Sequence, residues 1–161
     1  MRKCLFLDRD GVINYDPGDY TFQIEKFEIL PDVLEVVRAF KEQGYLIIVI
    51  TNQGGVAKGR YSKEEMLKLH RYMQQEFAAH RAALTDVFYS LHHSDISESI
   101  DRKPDSLMLE KAIHLYQIDA KASLMVGDKI SDVQAAEKVG IEGIKIKKNQ
   151  SIRFLLNRLE A

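Results

Sequence analysis

In Cys4-Leu5-Phe6-Leu7-Asp8-Arg9-Asp10-Gly11-Val12-Ile13-Asn14, four apolar residues run into two acids one residue apart. The apolar run reads as a buried strand. Asp8 then points over the edge of a sheet, and Asp10 sits on the turn beyond it. Gly11 gives that turn a conformation that a bulkier residue would resist. Open α/β sheets carry their chemistry at the C-terminal ends of parallel strands, which is where these two carboxylates stand. Taken alone, Asp-x-Asp is equally well a strand followed by an acidic turn.

Working outward, the same pattern recurs. Tyr45 to Ile50 is apolar and β-branched, as in a strand buried on both faces, and it stops at Thr51-Asn52-Gln53-Gly54-Gly55. Backbone N–H groups in such a small, glycine-bearing turn can cradle an anion. A third strand is expected over about Asp86 to Leu91, a fourth over Ser123 to Gly127, ending in Asp128-Lys129-Ile130-Ser131-Asp132, and a fifth over Ile141 to Ile146.

Helical patterns alternate with these strands. Pro31-Asp32 marks a helix start, with Val33, Leu34, Val36, Val37 and Phe40 on its apolar face and Gly44 closing it. Ser62 and Glu65 form a capping box for a helix to about His80, with Met66, Leu69, Met73 and Phe77 on one stripe. His70 and His80 read as solvated or packing residues. A helix from about Ser106 to about Tyr116 buries Leu107, Leu109, Ala112, Ile113 and possible neighbour Leu115. Another carries Val133, Ala136 and Val139, and Ile152 to Leu159 reads as a closing helix. Strands alternating with helices imply parallel βαβ units: an α/β, three-layer Rossmann-like domain over residues 1–161, with about five strands.

Composition bounds the function. A formal net charge of -1 gives no basic excess for a nucleic-acid backbone, so no nucleic-acid partner is expected. Cys4 is the one cysteine, which excludes an internal disulfide and a cysteine zinc cluster. The four apolar residues before Asp8 are too few for a signal-peptide core or a membrane span, so a cytoplasmic protein without a membrane partner is expected.

The polar strand ends pose an electrostatic problem. Asp8, Asp10, Asp128 and Asp132 would gather at one sheet edge with Thr51 and Lys103. Carboxylates that close repel, and a hard divalent cation relieves them. Mg²⁺ takes one or two carboxylates, waters and a substrate phosphate. The set therefore describes a phosphate site in which an aspartate attacks phosphorus and a second acid serves the leaving oxygen and water.

Asp-x-Asp-Gly-x-Ile-Asn, a hydrophobic strand ending Thr-Asn-Gln, Arg-Lys-Pro at 102–104 and Val-Gly-Asp-Lys-x-x-Asp at 126–132 together resemble the haloacid dehalogenase (HAD) superfamily. The resemblance covers about residues 3 to 146 and is strongest to its histidinol-phosphatase and heptose-bisphosphate phosphatase branch. It implies a capless HAD fold and a Mg²⁺-dependent phosphatase. Asp8 would be the nucleophile and Asp10 the general acid/base. Asp8, the Asp10 carbonyl and Asp128 would hold the metal. Thr51 would bond the phosphoryl group and Lys103 neutralise it, with Asp132 a supporting residue rather than a ligand. Substrate contacts would fall to Asp16, the Gly18–Tyr20 turn, Asn52, Gln53, Gly54, Arg102 and Lys129.

The resembling branch also carries a zinc loop of three cysteines and a histidine. Here Ser90, His92 and the run Ser94 to Asp101 stand in that region, so no zinc is expected. The loop would be held by its own hydrogen bonds or be mobile, and His92 and His93 read as surface or loop-packing residues, with contact to substrate the alternative. Gly54 stands where the branch commonly has serine.

The expected partner is a small phosphorylated metabolite, foremost a sugar phosphate such as D-glycero-D-manno-heptose 1,7-bisphosphate. Histidinol phosphate, deoxyoctulosonate phosphate and nucleic-acid 3′-phosphates are alternatives. A non-catalytic phosphate- or partner-binding domain is a different class, but such domains lose the nucleophile or the acid, and both stand here. A monomer or weak homodimer is expected.

Overall fold

The computed structural model describes residues 1–160. Five parallel strands form one sheet: β1 (Cys4–Leu7), β2 (Leu46–Asn52), β3 (Asp86–Ser90), β4 (Leu124–Gly127) and β5 (Glu142–Lys145). Their order is β3-β2-β1-β4-β5. The chain moves outward from β1 through β2 to β3, then returns to the other side of β1. The order thus reverses between β1 and β4, where open α/β sheets leave a crevice. Asp8 follows β1 at that reversal, and its N–H donates to the Val126 carbonyl of β4 at 3.0 Å.

Alternation along the strands divides the core in two. Leu5, Leu7, Ile47 and Val49 face α1 (Val33–Glu42) and α2 (Lys63–Ala79). Cys4, Phe6, Ile48 and Ile50 face α3 (Leu107–Tyr116) and α4 (Ile130–Lys138). With both faces covered, the central strands need apolar residues at every position. That accounts for the unbroken run at Leu46–Ile50. Between β1 and α1 lies one short 3₁₀ turn, Ile24–Lys26, and between β2 and β3 lies α2, so neither connection holds an inserted domain. The expected three-layer, capless architecture is therefore what the chain forms.

Local signals were read well at α2 and less well at three other places. The Ser62 hydroxyl accepts from the Glu65 N–H at 3.1 Å and the Glu65 carboxylate accepts from the Ser62 N–H at 3.1 Å, which completes the capping box. Pro31, expected in a first helical turn, instead lies ahead of α1. Asp32, at φ 73° and ψ -15°, has the third-position geometry of a type II turn, with Pro31 before it as that turn prefers. Asp32 does not cap the helix; its carboxylate accepts from Ser151 Oγ at 2.7 Å. Leu115 is exposed, and Met108 joins Leu109 and Ala112 on the buried face of α3. The closing segment is a 3₁₀ helix over Arg153–Arg158, with Leu155 buried.

Candidate active site

Lys103 anchors the site from a position far from β1 in sequence. Its ammonium donates to Asp8 Oδ1 at 3.0 Å, Asp132 Oδ1 at 2.6 Å and the Ile50 carbonyl at 2.7 Å. An ammonium has three N–H donors, so all three are used. Burial works against its charge, but Asp8 and Asp132 outweigh burial and hold it above the usual lysine range. Asn52 fixes the backbone that carries it: its amide nitrogen donates to the Lys103 carbonyl at 3.1 Å, and its oxygen accepts from the Lys103 N–H at 3.0 Å. Asn52 lines the cleft as expected, yet both ends of its carboxamide are engaged on this peptide.

Asp132 is 1% exposed, and its second oxygen accepts from the Lys129 N–H at 3.0 Å. Gly127 makes that approach possible, because a Cβ there would lie 2.1 Å from Asp132 Oδ2. Asp8, Asp128 and Asp132 present carboxylate oxygens within 4.8 Å of one another. Burial first, then the charge of Asp132, pushes Asp8 well above the ordinary carboxylate range, although Lys103 opposes this. Burial likewise raises Asp128.

These residues fit a divalent cation. One lysine does not neutralise three carboxylates, and Asp128 Oδ1 is buried without a hydrogen-bond partner. Asp8 and Asp128 can supply carboxylate oxygens to it. The oxygens of Asp132 are already held by Lys103 and the Lys129 N–H, which suits the supporting place expected for it. The Asp10 carboxylate is engaged elsewhere, so Asp10 can join only through its main-chain carbonyl.

Asp10 is held from behind. Arg9, 1% exposed, donates from Nη2 to Asp10 Oδ1 at 2.8 Å and to the Thr21 carbonyl at 2.6 Å. Arg9 Nη1 lies 3.0 Å from His70 Nε2. Burial raises the Asp10 carboxyl, but the Arg9 charge and hydrogen bonds from Arg9, Asn14 and Gln53 more than offset it, leaving it below the usual range. Gln53 Nε2 reaches both Asp10 Oδ2, at 3.2 Å, and Thr51 Oγ1, at 2.9 Å. Gln53, expected at the substrate, thus also belongs to the support of Asp10.

A cleft of about 330 Å³ opens beside Asp10, lined by Asp16, Asp19, Tyr20, Gly54, His93, Arg102, Lys129 and Lys148 among others. The expected substrate-side residues Asp16, Asn52, Gln53, Gly54, Arg102 and Lys129 all meet there. His93 packs against Gly54, where an added Cβ would lie 2.6 Å from its ring. The neighbouring loop is held by its own hydrogen bonds: Asp101 Oδ1 accepts from Ser90 Oγ at 2.8 Å, Ser99 Oγ at 2.6 Å and His92 Nδ1 at 3.0 Å.

Sequence reading missed Lys148, Asn149 and Tyr61. Asn149 Oδ1 accepts from the Asp16 N–H at 2.8 Å and its Nδ2 donates to the Asp16 carbonyl at 2.9 Å, so it clamps one loop as Asn52 clamps the other. Tyr61 donates to Gln53 Oε1 at 2.5 Å. Nothing in the local pattern flags these residues: Lys148 and Asn149 reach Asp16 across more than a hundred residues, and Tyr61, eight residues from Gln53, lies in an irregular loop. Arg9 and Asn14, which also bond Asp10, lie within the first motif itself.

A parallel sheet with a carboxylate at its switch point, faced by a buried lysine and a cation-ready acidic cluster, is the site of an α/β enzyme suited to phosphoryl transfer. The comparisons with known proteins give the family. A model of the haloacid dehalogenase-like hydrolases matches residues 3–140, and the chain belongs to that family. The D-glycero-beta-D-manno-heptose-1,7-bisphosphate 7-phosphatase of Haemophilus influenzae is 39% identical over 158 residues, 95% of this chain and 83% of that protein. The D-glycero-alpha-D-manno-heptose-1,7-bisphosphate 7-phosphatase of Burkholderia mallei is 43% identical over 145 residues, 86% of this chain and 76% of that one. Among solved structures, the D,D-heptose 1,7-bisphosphate phosphatase from B. bronchiseptica, complexed with magnesium and phosphate, superposes with a TM-score of 0.82 at 27% identity, over 88% of this chain and 78% of that one. The chain is a phosphatase of the HAD family. No helix among the described residues is long and apolar enough to cross a membrane.

Proposed function

We propose that this enzyme hydrolyses the 7-phosphate ester of D-glycero-D-manno-heptose 1,7-bisphosphate. Asp8 attacks the phosphorus to form an aspartyl-phosphate, while Asp10, which has to enter this step protonated against the pull of Arg9, gives a proton to the departing sugar oxygen. Asp10 then takes a proton from the water that attacks the aspartyl-phosphate, which releases phosphate and regenerates Asp8. Lys103 holds Asp8 in line and offsets phosphoryl charge; Thr51 bonds a phosphoryl oxygen. Mg²⁺, held by Asp8, Asp128 and the Asp10 carbonyl, would neutralise the carboxylates and polarise the phosphoryl group.

The observation that carries the substrate is the charge of the cleft. Arg102, Lys129 and Lys148 line it together with Asp16 and Asp19. Cations suit a second phosphate, and carboxylates suit sugar hydroxyls. The named relatives act on such a bisphosphate, in one or the other anomer.

The test is phosphate release with Mg²⁺ from both anomers of the heptose bisphosphate, histidinol phosphate, deoxyoctulosonate phosphate and a 3′-phosphorylated oligonucleotide. One heptose anomer should exceed the other substrates by at least tenfold in kcat/KM. Asp8→Asn should lose about 10⁴- to 10⁶-fold, the scale of removing the nucleophile from a coupled catalytic group. A different best substrate overturns the substrate reading, and a fully active Asp8→Asn overturns the chemistry.

A further inference from the structure

The two oxygens of Asp10 have unlike surroundings. Oδ1 accepts from Arg9 Nη2 at 2.8 Å, Arg9 Nε at 3.3 Å and Asn14 Nδ2 at 3.1 Å. A carboxylate oxygen has about two lone-pair positions, so Oδ1 is saturated. Oδ2 accepts one hydrogen bond, from Gln53 Nε2. The proton that Asp10 exchanges during catalysis therefore resides on Oδ2, and Gln53 is the group beside it.

The direction of the Gln53 carboxamide then matters. Rotated by half a turn, it would aim an oxygen at Asp10, which repels the ionised carboxyl and, once Oδ2 is protonated, draws the proton into a hydrogen bond away from the departing oxygen. Ionised Asp10 only accepts and so draws the N–H side, and the hydroxyls of Thr51 and Tyr61 complete that orientation. Nε2 has two hydrogens and two acceptors, Asp10 Oδ2 and Thr51 Oγ1. Oε1 accepts from the Tyr61 hydroxyl. Tyr61 is 5% exposed, and its ring stacks on Phe22 at 5.1 Å with an interplanar angle of 11°. A Cβ on Gly55 would come within 2.2 Å of the Tyr61 ring, so the backbone lies tightly against the tyrosine.

We propose that Tyr61 is a positioning residue for proton transfer: its hydroxyl locks the Gln53 carboxamide so that an N–H, not a carbonyl, holds the proton-carrying oxygen of Asp10. Tyr61 touches neither substrate nor metal in this scheme and acts only through Gln53. The inference rests on Asp10 being the general acid/base.

The experiment compares leaving groups. Tyr61→Phe keeps the stacked ring and removes one hydroxyl. An alkyl sugar phosphate needs protonation of its departing oxygen, whereas p-nitrophenyl phosphate departs as a stable phenolate and needs it far less. Tyr61→Phe should lower kcat/KM about 10- to 100-fold on the sugar phosphate, and several-fold less on p-nitrophenyl phosphate. Gln53→Leu should give the same dependence, and the double variant should be no worse than Gln53→Leu alone. A merely structural tyrosine would lower both substrates equally. Equal losses, no loss, or additive losses in the double variant overturn the proposal while the wild type remains an active phosphatase. A wild type with no turnover of any phosphomonoester overturns the functional reading, and this inference with it.

Discussion

Lys103 and Asp101 stand two residues apart and are held in opposite ways. Lys103 is 3% exposed and bonded to acceptors after β1, on β2 and on α4. Asp101 is partly exposed and bonded to Ser90, His92 and Ser99, all close to it in the chain. The phosphoryl half is thus cross-linked through the core, where an unpaired ion costs about 3–5 kcal/mol. The cleft half is a loop held to itself, and its ion pairs, Lys58–Asp95 and Arg60–Asp19, are largely exposed. Such pairs contribute about 0–1 kcal/mol each. On the proposed reading, the half that performs chemistry is built to resist displacement, and the half that selects substrate is held more loosely.

Gly127→Ala would break the phosphoryl half most directly. The new Cβ would meet Asp132 Oδ2 at 2.1 Å and Asp132 Cβ at 2.2 Å. Asp132 cannot swing aside without leaving Lys103. Displacement by about an ångström at a catalytic group costs on the order of 10²-fold in rate. Overpacking of this kind costs about 1–3 kcal/mol. Phosphate release and urea unfolding together check this. A stable, fully active variant would show that Lys103 does not depend on Asp132 for its position.

The contrast extends to proton uptake. Arg9 can only donate, so His70 Nε2 must accept and the ring proton sits on Nδ1. Burial, followed by the Arg9 charge, lowers its pKa to about 3. The unfolded imidazole gains a proton near pH 6.5 and the folded one does not until about 3. Between those values the unfolded state binds more protons, so stability is fully present above pH 6.5 and is lost as pH falls. The expected loss between pH 6.5 and 4.5 is about 2 kcal/mol. Asp8 and Asp128, raised in the absence of a cation, act in the opposite sense, so unfolding is followed at saturating Mg²⁺. Subtracting the curve of His70→Gln isolates the histidine; parallel curves would mean that His70 is protonated in the fold. His93, in the cleft, should contribute little by comparison.

How much of this was legible in the sequence follows the same division. Asp8 and Asp128 follow strands, Thr51 lies at the end of β2 and Lys103 sits in the turn ahead of α3, so strand order brings them to one edge of the sheet. The apolar runs that reveal the strands also locate the chemistry. Tyr61, Lys148 and Asn149 carry no such mark. Their partners are chosen by how separate loops pack over the sheet edge, and Asn149 reaches Asp16 across more than a hundred residues. Pro31 was misplaced for a related reason: a proline beside an acid suits both a helix start and a type II turn, and the contact of Asp32 with Ser151 lies outside the local window.

Asp101→Ala should act on the cleft half alone. Removing one carboxylate strands three donors, but the site is partly open and water replaces some bonds. At roughly 0.5–1.5 kcal/mol for each bond that water does not replace, KM should rise about tenfold while kcat changes less than threefold. Steady-state kinetics on the best substrate, with limited proteolysis of the loop at 90–102, would read both effects. An equal fall in kcat would join the loop to the chemistry and dissolve the division between the halves.

The finest test sets Gly54 against Gly127. Both glycines leave room for a side chain, but the neighbours differ. At Gly127 the neighbour is a pinned carboxylate; at Gly54 it is the His93 ring, whose Cδ2 would lie 2.6 Å from an added Cβ. His93 lines the cleft, and its Nδ1 accepts from the Asp95 N–H at 3.0 Å. Rotating His93 away breaks this one exposed bond, worth about 0.5–1.5 kcal/mol, so Gly54→Ala should raise KM only about threefold to tenfold, with kcat and stability close to wild type. With the ring gone, the Arg102 guanidinium, 2.9 Å from the added Cβ at the end of a flexible side chain, is what still has to move, so the same substitution in a His93→Ala background should have a smaller effect. A double-mutant cycle measures this coupling directly. If Gly54→Ala is as damaging with His93 absent as with it present, the strain lies in the backbone after Thr51, and the cleft wall is then as rigid as the phosphoryl half it borders.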